Sequence, residues 1–212
     1  MAKYLQFRSE SAQSRYNIAM NTTKKPIQPL TNEECLALLA ATSKRGPCGA
    51  RDRATIILLW RAQLRVAEAL TVIPDDVDLA AGTVRIQHGK GDKSRVVGID
   101  SAACDVLRRW IERRARLPVG PDSPLICTLR GGKLWPQHVG RTLRRLASKA
   151  SITKRVHPHG LRHTGAFEML SEGIRLDLIQ RQLGHSSLAV TDRYLRHASA
   201  ADVVDAMRGR EW

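Results

Sequence analysis

The stretch HGLRHTGAFEMLSEGIRLDLIQRQLGHSSLAVTDRY, residues 159–194, decides how the rest of the chain is read. Within thirty-six residues it carries His159, Arg162, His185 and Tyr194: two imidazoles, a guanidinium and a phenol, all groups able to handle a phosphate. His159 and Arg162 stand three apart at the start of an expected helix, so both side chains share one face. The N–H groups at such a helix start favour an anion beside them. Pro158 fixes the beginning of the helix, and His157 and His163 enlarge the cluster. A phenol, with an ordinary pKa of about 10, attacks phosphorus only with assistance. Arg162, His159 and His185 are the groups placed to supply it.

Working outward, the charge balance agrees with a phosphate-rich partner. The 212 residues hold 35 Lys and Arg against 20 Asp and Glu, a net +15. Such an excess suits a polyanion, either nucleic acid or a membrane surface. The longest strongly apolar run, Ala54–Trp60, is too short to span a bilayer, and residues 1–20 lack the apolar stretch of a signal peptide. No membrane partner is therefore expected. Aromatic residues make up only 4%, which argues against base stacking on single strands as the binding mode. The four cysteines, Cys35, Cys48, Cys104 and Cys127, form no CxxC pair and match neither a zinc site nor a disulfide framework. They read as buried free thiols, and no metal or other cofactor is expected.

Residues 1–28 read as a basic tail or linker ending among prolines. Thr31-Asn-Glu-Glu34 is a capping-box signature opening a helix through Leu36–Ala40, which Gly46-Pro47 is expected to close. A second helix is expected over 51–60, apolar on most sides and hence central. Asp75–Asp78 and Ala81-Gly82 read as turns. Thr83–Ile86 and Ser94–Ile99 read as strands of a hairpin whose tip is His88–Lys93. Helix resumes over 102–116. A short extended piece is expected at 123–127, then helices over 135–149, 160–172, 175–183, 187–196 and 199–208, with Gly173 and Gly184 as stops. The fold class is mainly α with one small antiparallel β-sheet, an α+β arrangement.

Two further features bear on phosphate chemistry. In Gln63-Leu-Arg65-Val-Ala-Glu68 an arginine and a glutamate stand three apart. On a surface such a pair is worth little, but a carboxylate that fixes an arginine makes a phosphate clamp. Lys90, between glycines at the hairpin tip, is placed to reach a leaving oxygen.

In order, Arg65, Lys90, His159, Arg162, His185 and Tyr194 resemble the six active-site positions of the tyrosine recombinase (phage integrase) family. RDRATIILLWRAQLRVAEAL resembles its first box, and GKGDKSRVV its hairpin lysine segment. Residues 159–194 resemble its second box running into the nucleophile, and KKPIQPLTNEECLALL its linker and first catalytic-domain helix. The resemblance covers about residues 24–208, in the Xer-like and integron-like style. The chain departs from the family pattern at Gln63, where a glycine usually precedes the Leu-Arg. It also has Gly165-Ala166-Phe167 where Phe-Ala commonly follows the His-Thr.

The resemblance implies the DNA breaking-rejoining fold over residues 29–212 and a type IB phosphoryl transfer without metal or ATP. Tyr194 would be the nucleophile and form a 3′-phosphotyrosyl link. Arg65 and Arg162 would hold the non-bridging oxygens, His159 would take the phenolic proton, and Lys90 would protonate the leaving 5′-oxygen. His185 would hydrogen-bond the phosphate, with Glu68 and His163 in support. Lys24, Lys25, Lys93, Arg95, Arg141 and Arg144 are expected to contact DNA. The implied partners are a double-stranded recombination site and further copies of the chain, four on DNA, docked through the C-terminal helix near 199–208. The implied setting is a prokaryotic cytoplasm, associated with DNA. A helical core-binding domain before the linker is expected to be absent, leaving weak binding that the basic tail partly restores. A DNA-binding accessory module without recombination, or topoisomerase-like relaxation, are the alternative readings.

Overall fold

The computed structural model describes residues 28–87 and 94–184. Helix α1, Asn32–Ala40, begins at the expected capping box. The Thr31 hydroxyl accepts from Glu34 N–H (3.2 Å), and the Glu34 carboxylate accepts from Thr31 N–H (2.7 Å). Gly46-Pro47 does not close this helix. It opens the next one, α2, Gly46–Trp60, with proline in the first turn, where its missing N–H costs nothing. Every residue from Ala54 to Trp60 is buried, so α2 is the central rod of the molecule, as its nearly continuous apolar sequence requires.

After a bend at Arg61–Leu64 comes a single helical turn, α3, Val66–Ala69. Asp75–Asp78, expected as turn alone, forms a 3₁₀ turn (Pro74–Asp76) and a short strand β1, Val77–Asp78. With β2, Thr83–Ile86, and β3, Arg95–Gly98, this makes a three-stranded antiparallel sheet in the order β1-β2-β3. Val84 pairs with Val97 and Ile86 with Arg95. Val84, Ile86 and Val97 are buried on one face, the period-two pattern of a half-covered sheet.

Four helices complete the described fold: α4, Ser101–Arg114; α5, Pro136–Lys149; α6, Pro158–Ser171; and α7, Leu176–Leu183. Their limits fall within two residues of the expected ones. The segment 123–127, expected as extended, has only one bridge, Cys127 to Lys133. It is held instead by Leu125 N–H on Val72 O (2.6 Å) and by Trp110 Nε1–H on Leu125 O (2.9 Å). Three cysteines are buried as expected, but Cys48, in the first turn of α2, is exposed. The hairpin tip 88–93 and the helices expected at 187–196 and 199–208 lie outside the described residues. Among the described residues no helix is long and apolar enough to cross a membrane.

The core gathers α2, α4, α5 and the inner sheet face around Leu58, Leu59, Leu107 and Trp110. A smaller cluster of Ala166, Ile179 and Leu183 joins α6 to α7. Between them, the C-terminal end of α2 meets α6. Trp60 Nε1–H and Arg61 Nη1 both donate to Glu168 Oε2 (2.8 and 2.9 Å), while Arg61 Nε reaches Asp100, the N-cap of α4 (2.6 Å). Gly165 sits at the closest point of this crossing. A Cβ there would come within 2.0 Å of Trp60 O. That crossing sets how deep α6, which bears His159 and Arg162, lies against the rod.

Candidate active site

Arg65 is the N-cap of the single turn α3 and Glu68 its third residue, so the carboxylate folds back on the residue three earlier. Glu68 Oε2 accepts from Arg65 N–H (2.8 Å), and Oε1 from Arg65 Nη1 (2.7 Å). The same carboxylate takes both terminal nitrogens of Arg95, at 2.8 Å each, and lies 3.8 Å from Arg162 Nη1. A buried acid with a 4% exposed side chain thus stands among three guanidiniums. Burial alone raises its pKa. The hydrogen bonds from Arg95 and Arg65 and the charge of Arg95 outweigh that and hold it at about 2.

Arg162 enters from α6 and is 3% exposed. Nη1 donates to Gln63 O and Nη2 to Leu183 O, each at 2.5 Å. Leu183 O is the last carbonyl of α7, and Gln63 O lies in the bend that follows α2. A helix leaves its last carbonyls, Leu183 O among them, without an internal partner. Gln63 adopts a left-handed backbone, φ 48°, and Gly184, which follows Leu183, another at 61°. The usual glycine of the family pattern at position 63 suits that conformation. Gln63 adopts it at a steric cost, and its carbonyl serves Arg162 rather than Arg65. Arg65 Nη2 makes a long 3.4 Å contact with Gly184 O. With a side chain 31% exposed, Arg65 is the more accessible of the two arginines.

His159 and His163 lie one turn apart on α6, and their Nε2 atoms are 2.8 Å apart with the rings edge to face. At that distance one ring donates and the other accepts, so the tautomer of one sets that of the other. His159 is exposed and His163 is buried. Thr164 anchors the helix. Its hydroxyl accepts from Leu30 N–H (3.0 Å) and donates to Gly160 O (3.1 Å), tying the linker to α6.

The structure therefore brings Arg65 and Arg162 onto Glu68, and pairs His159 with His163 on the helix that carries Arg162. Lys90, His185, Tyr194, Lys24, Lys25 and Lys93 lie outside the described residues. Arg141 and Arg144 are exposed on α5, opposite its buried Val139–Leu143–Leu146 stripe. Arg95, expected at the DNA, is turned inward onto Glu68. The signal for this was in the strand pattern, because Arg95 and Val97 are two apart and share the inner face. The carbonyls of Gln63 and Leu183 carry no sequence signal at all.

Arg65 and Arg162 converge on one buried acid, and the helix that carries Arg162 also carries the histidine pair, groups chemically able to receive a tetrahedral anion. The model of the Phage integrase family matches residues 28–201. The chain belongs to that family. It is 35% identical over 180 residues to tyrosine recombinase XerD of Ralstonia nicotianae, covering 82% of this chain and 58% of that one. It is 37% identical over 169 residues to tyrosine recombinase XerC of Bacillus subtilis, covering 78% and 55%. The crystal structure of XerA recombinase superposes with a TM-score of 0.75 at 29% identity, over 87% of this chain and 66% of that chain. A post-cleavage complex of XerH site-specific recombinase with a palindromic difH substrate gives 0.72 at 27% identity, over 88% and 55%. The fold is thus the tyrosine recombinase catalytic fold. The chain spans a little over half the length of the curated relatives it matches.

Proposed function

We propose that this chain is a site-specific recombinase that cuts and rejoins duplex DNA through a covalent link to Tyr194. The observation that carries this reading is the pair of arginines, Arg65 and Arg162, fixed by Glu68 and by the main-chain carbonyls of Gln63 and Leu183. A transferring phosphoryl group needs little covalent help from a protein; it needs oriented positive charge where its oxygens gain negative charge.

In the proposed reaction the Tyr194 oxygen attacks phosphorus while the bond to the 5′-oxygen breaks. The phenolic proton passes to His159, whose orientation and tautomer His163 sets, and Lys90 protonates the departing 5′-oxygen. Arg65 and Arg162 hold the non-bridging oxygens and His185 donates to the phosphate. Reversal, with a 5′-hydroxyl from the partner duplex as nucleophile, rejoins the strand without ATP because the phosphotyrosyl link retains the bond. Residues 29–212 act as the catalytic domain. Lys24, Lys25, Lys93, Arg141 and Arg144 approach the DNA backbone, and copies of the chain assemble on the recombination site through the segment near 199–208. The relatives' names support this reading, as does the XerH complex, in which that recombinase is bound to its difH substrate.

The test is a nicked suicide duplex incubated with the protein and resolved by denaturing electrophoresis. A covalent adduct is expected and should vanish with Tyr194→Phe. Arg162→Ala should lower its rate by about 10²–10³-fold. Binding to DNA without any adduct across a panel of candidate sites would favour an accessory module. Relaxation of supercoiled plasmid without strand exchange would favour a topoisomerase-like activity.

A further inference from the structure

The geometry points to Arg95 as a positioning residue of the phosphate clamp, acting through Glu68 and not through DNA, an inference that rests on the strand-cleavage reading above. Arg95 reaches inward from β3 beside the buried Val97, and its side chain is only 14% exposed. Its two terminal nitrogens each take one oxygen of Glu68, both at 2.8 Å, the parallel fork that a guanidinium makes with a carboxylate. Its Nε finds no acceptor among the described residues, so Glu68 is the acid that holds it. Gly184 makes the room: a Cβ there would come within 2.8 Å of Arg95 Cδ and Nε. The turn that ends α7 and leads toward His185 is therefore closed against the Arg95 side chain.

The charges explain why a third arginine is needed. Glu68 orients Arg65, yet a full negative charge beside Arg65 and Arg162 opposes the field they must exert on a phosphate. Arg95 offsets that charge while leaving the carboxylate in place as an orienting acceptor. It also occupies the fork position on Glu68. Arg65 already holds Oε2 through its N–H and Oε1 through Nη1; without Arg95 the fork position is free for a second guanidinium bond from Arg65, which would turn the Arg65 fork away from its exposed side. In this arrangement Arg95 keeps the Arg65 guanidinium to one bond with Glu68, through Nη1, and keeps two positive charges available at the site.

The experiment uses the full chain carrying Arg95→Met or Arg95→Lys, with thermal unfolding to confirm that each variant is folded. Non-covalent binding to a duplex over a salt series reads DNA contact directly. Loss of one phosphate contact lowers the magnitude of the log–log slope by about 0.9. The slope of Arg95→Met is expected to equal that of the unsubstituted chain. On the suicide duplex its cleavage rate should fall by about 10–100-fold, the range for groups that orient a primary contact. On the same duplex with a neutral methylphosphonate at the scissile position the fall should be much smaller, because the charge that the clamp must meet is gone. The double variant with Glu68→Gln should be no slower than Glu68→Gln alone. A reduced slope, equal losses on the two substrates, or additive losses in the double variant would each overturn the assignment. If Arg95→Met does not fold, Arg95→Lys, which keeps the charge but not the fork, carries the substrate comparison by the same criteria. A parent chain that forms no adduct sinks the strand-cleavage reading and this role with it. Cleavage by Arg95→Met at the parent rate sinks this role alone.

Discussion

Replacing Gly165 by alanine tests the close crossing of α6 and α2. The added Cβ would lie 2.0 Å from Trp60 O and 2.9 Å from Gln63 Cγ and Nε2, where ordinary contact begins near 3.4 Å. The Gln63 side chain can give way, but Trp60 O is backbone at the end of a buried helix, so α6 must retreat by more than an ångström. In a helix interior, glycine to alanine ordinarily gains up to about 1 kcal/mol. Overpacking typically costs about 1–3 kcal/mol, and a clash with backbone belongs at the upper end. The net expectation is a loss of about 2 kcal/mol, or about 4–8 °C in melting temperature for a chain of this size. The helix that must move bears His159, Arg162 and His163, so adduct formation should also fall well below the melting transition, where the protein is fully folded. Trimming Gln63 to glycine as well should not restore either quantity, because Trp60 O remains. Thermal unfolding followed by circular dichroism, with the suicide-duplex assay alongside, reads both. An alanine variant as stable as the parent, or more stable, would refute the tight crossing.

The Glu68 carboxyl, held at about 2 against an ordinary 4.5, contributes stability that is fully present above pH 4.5 and is lost as the pH falls through 2. That contribution is about 3 kcal/mol at neutral pH. Glu68→Gln should therefore be less stable at pH 7 and lose less than the parent over that acid window. Acid unfolding curves that run parallel for the two proteins would contradict the assignment. Arg141→Ala and Arg144→Ala, exposed on α5, should each weaken duplex binding and reduce the salt slope by about 0.9 while leaving the melting temperature unchanged. A slope that does not move removes that residue from the DNA face.

Much of the fold was legible because its elements obey local rules. The capping box at Thr31, the period-two strands and the apolar stripes of α4 and α5 each have a sequence signature. Gly46-Pro47 is ambiguous in the sequence because glycine and proline both end and begin helices. Only the burial of the following residues decides which, and that is a tertiary fact. The site was legible in its ionised side chains but not in what holds them. Arg95 looked like one more basic residue in a basic hairpin, and its true side follows from the alternation with Val97 rather than from its charge. Arg162 is fastened to main-chain oxygens of residues 99 positions before and 21 positions after it, which no pattern of side chains announces.

Those two oxygens also explain how an unusual residue at position 63 is compatible with the clamp. A buried guanidinium needs acceptors: the end of α7 offers Leu183 O, which has no intrahelical partner and sits at the negative end of the helix dipole, and the bend after α2 offers Gln63 O. Both carbonyls lie where the chain turns away from a helix, and a left-handed residue accompanies each turn, Gln63 at one and Gly184 at the other. At position 184 glycine is favoured for a second reason, since a Cβ would come within 2.8 Å of the Arg95 side chain and push it from its place on Glu68. At position 63 no such neighbour forbids a side chain, because Gly165 leaves an open face beneath it. The requirement there is on the sign of φ alone, and the contact Arg162 depends on is made by the backbone. Glutamine can therefore stand where glycine is usual, at a conformational cost, without removing an acceptor from the arginine.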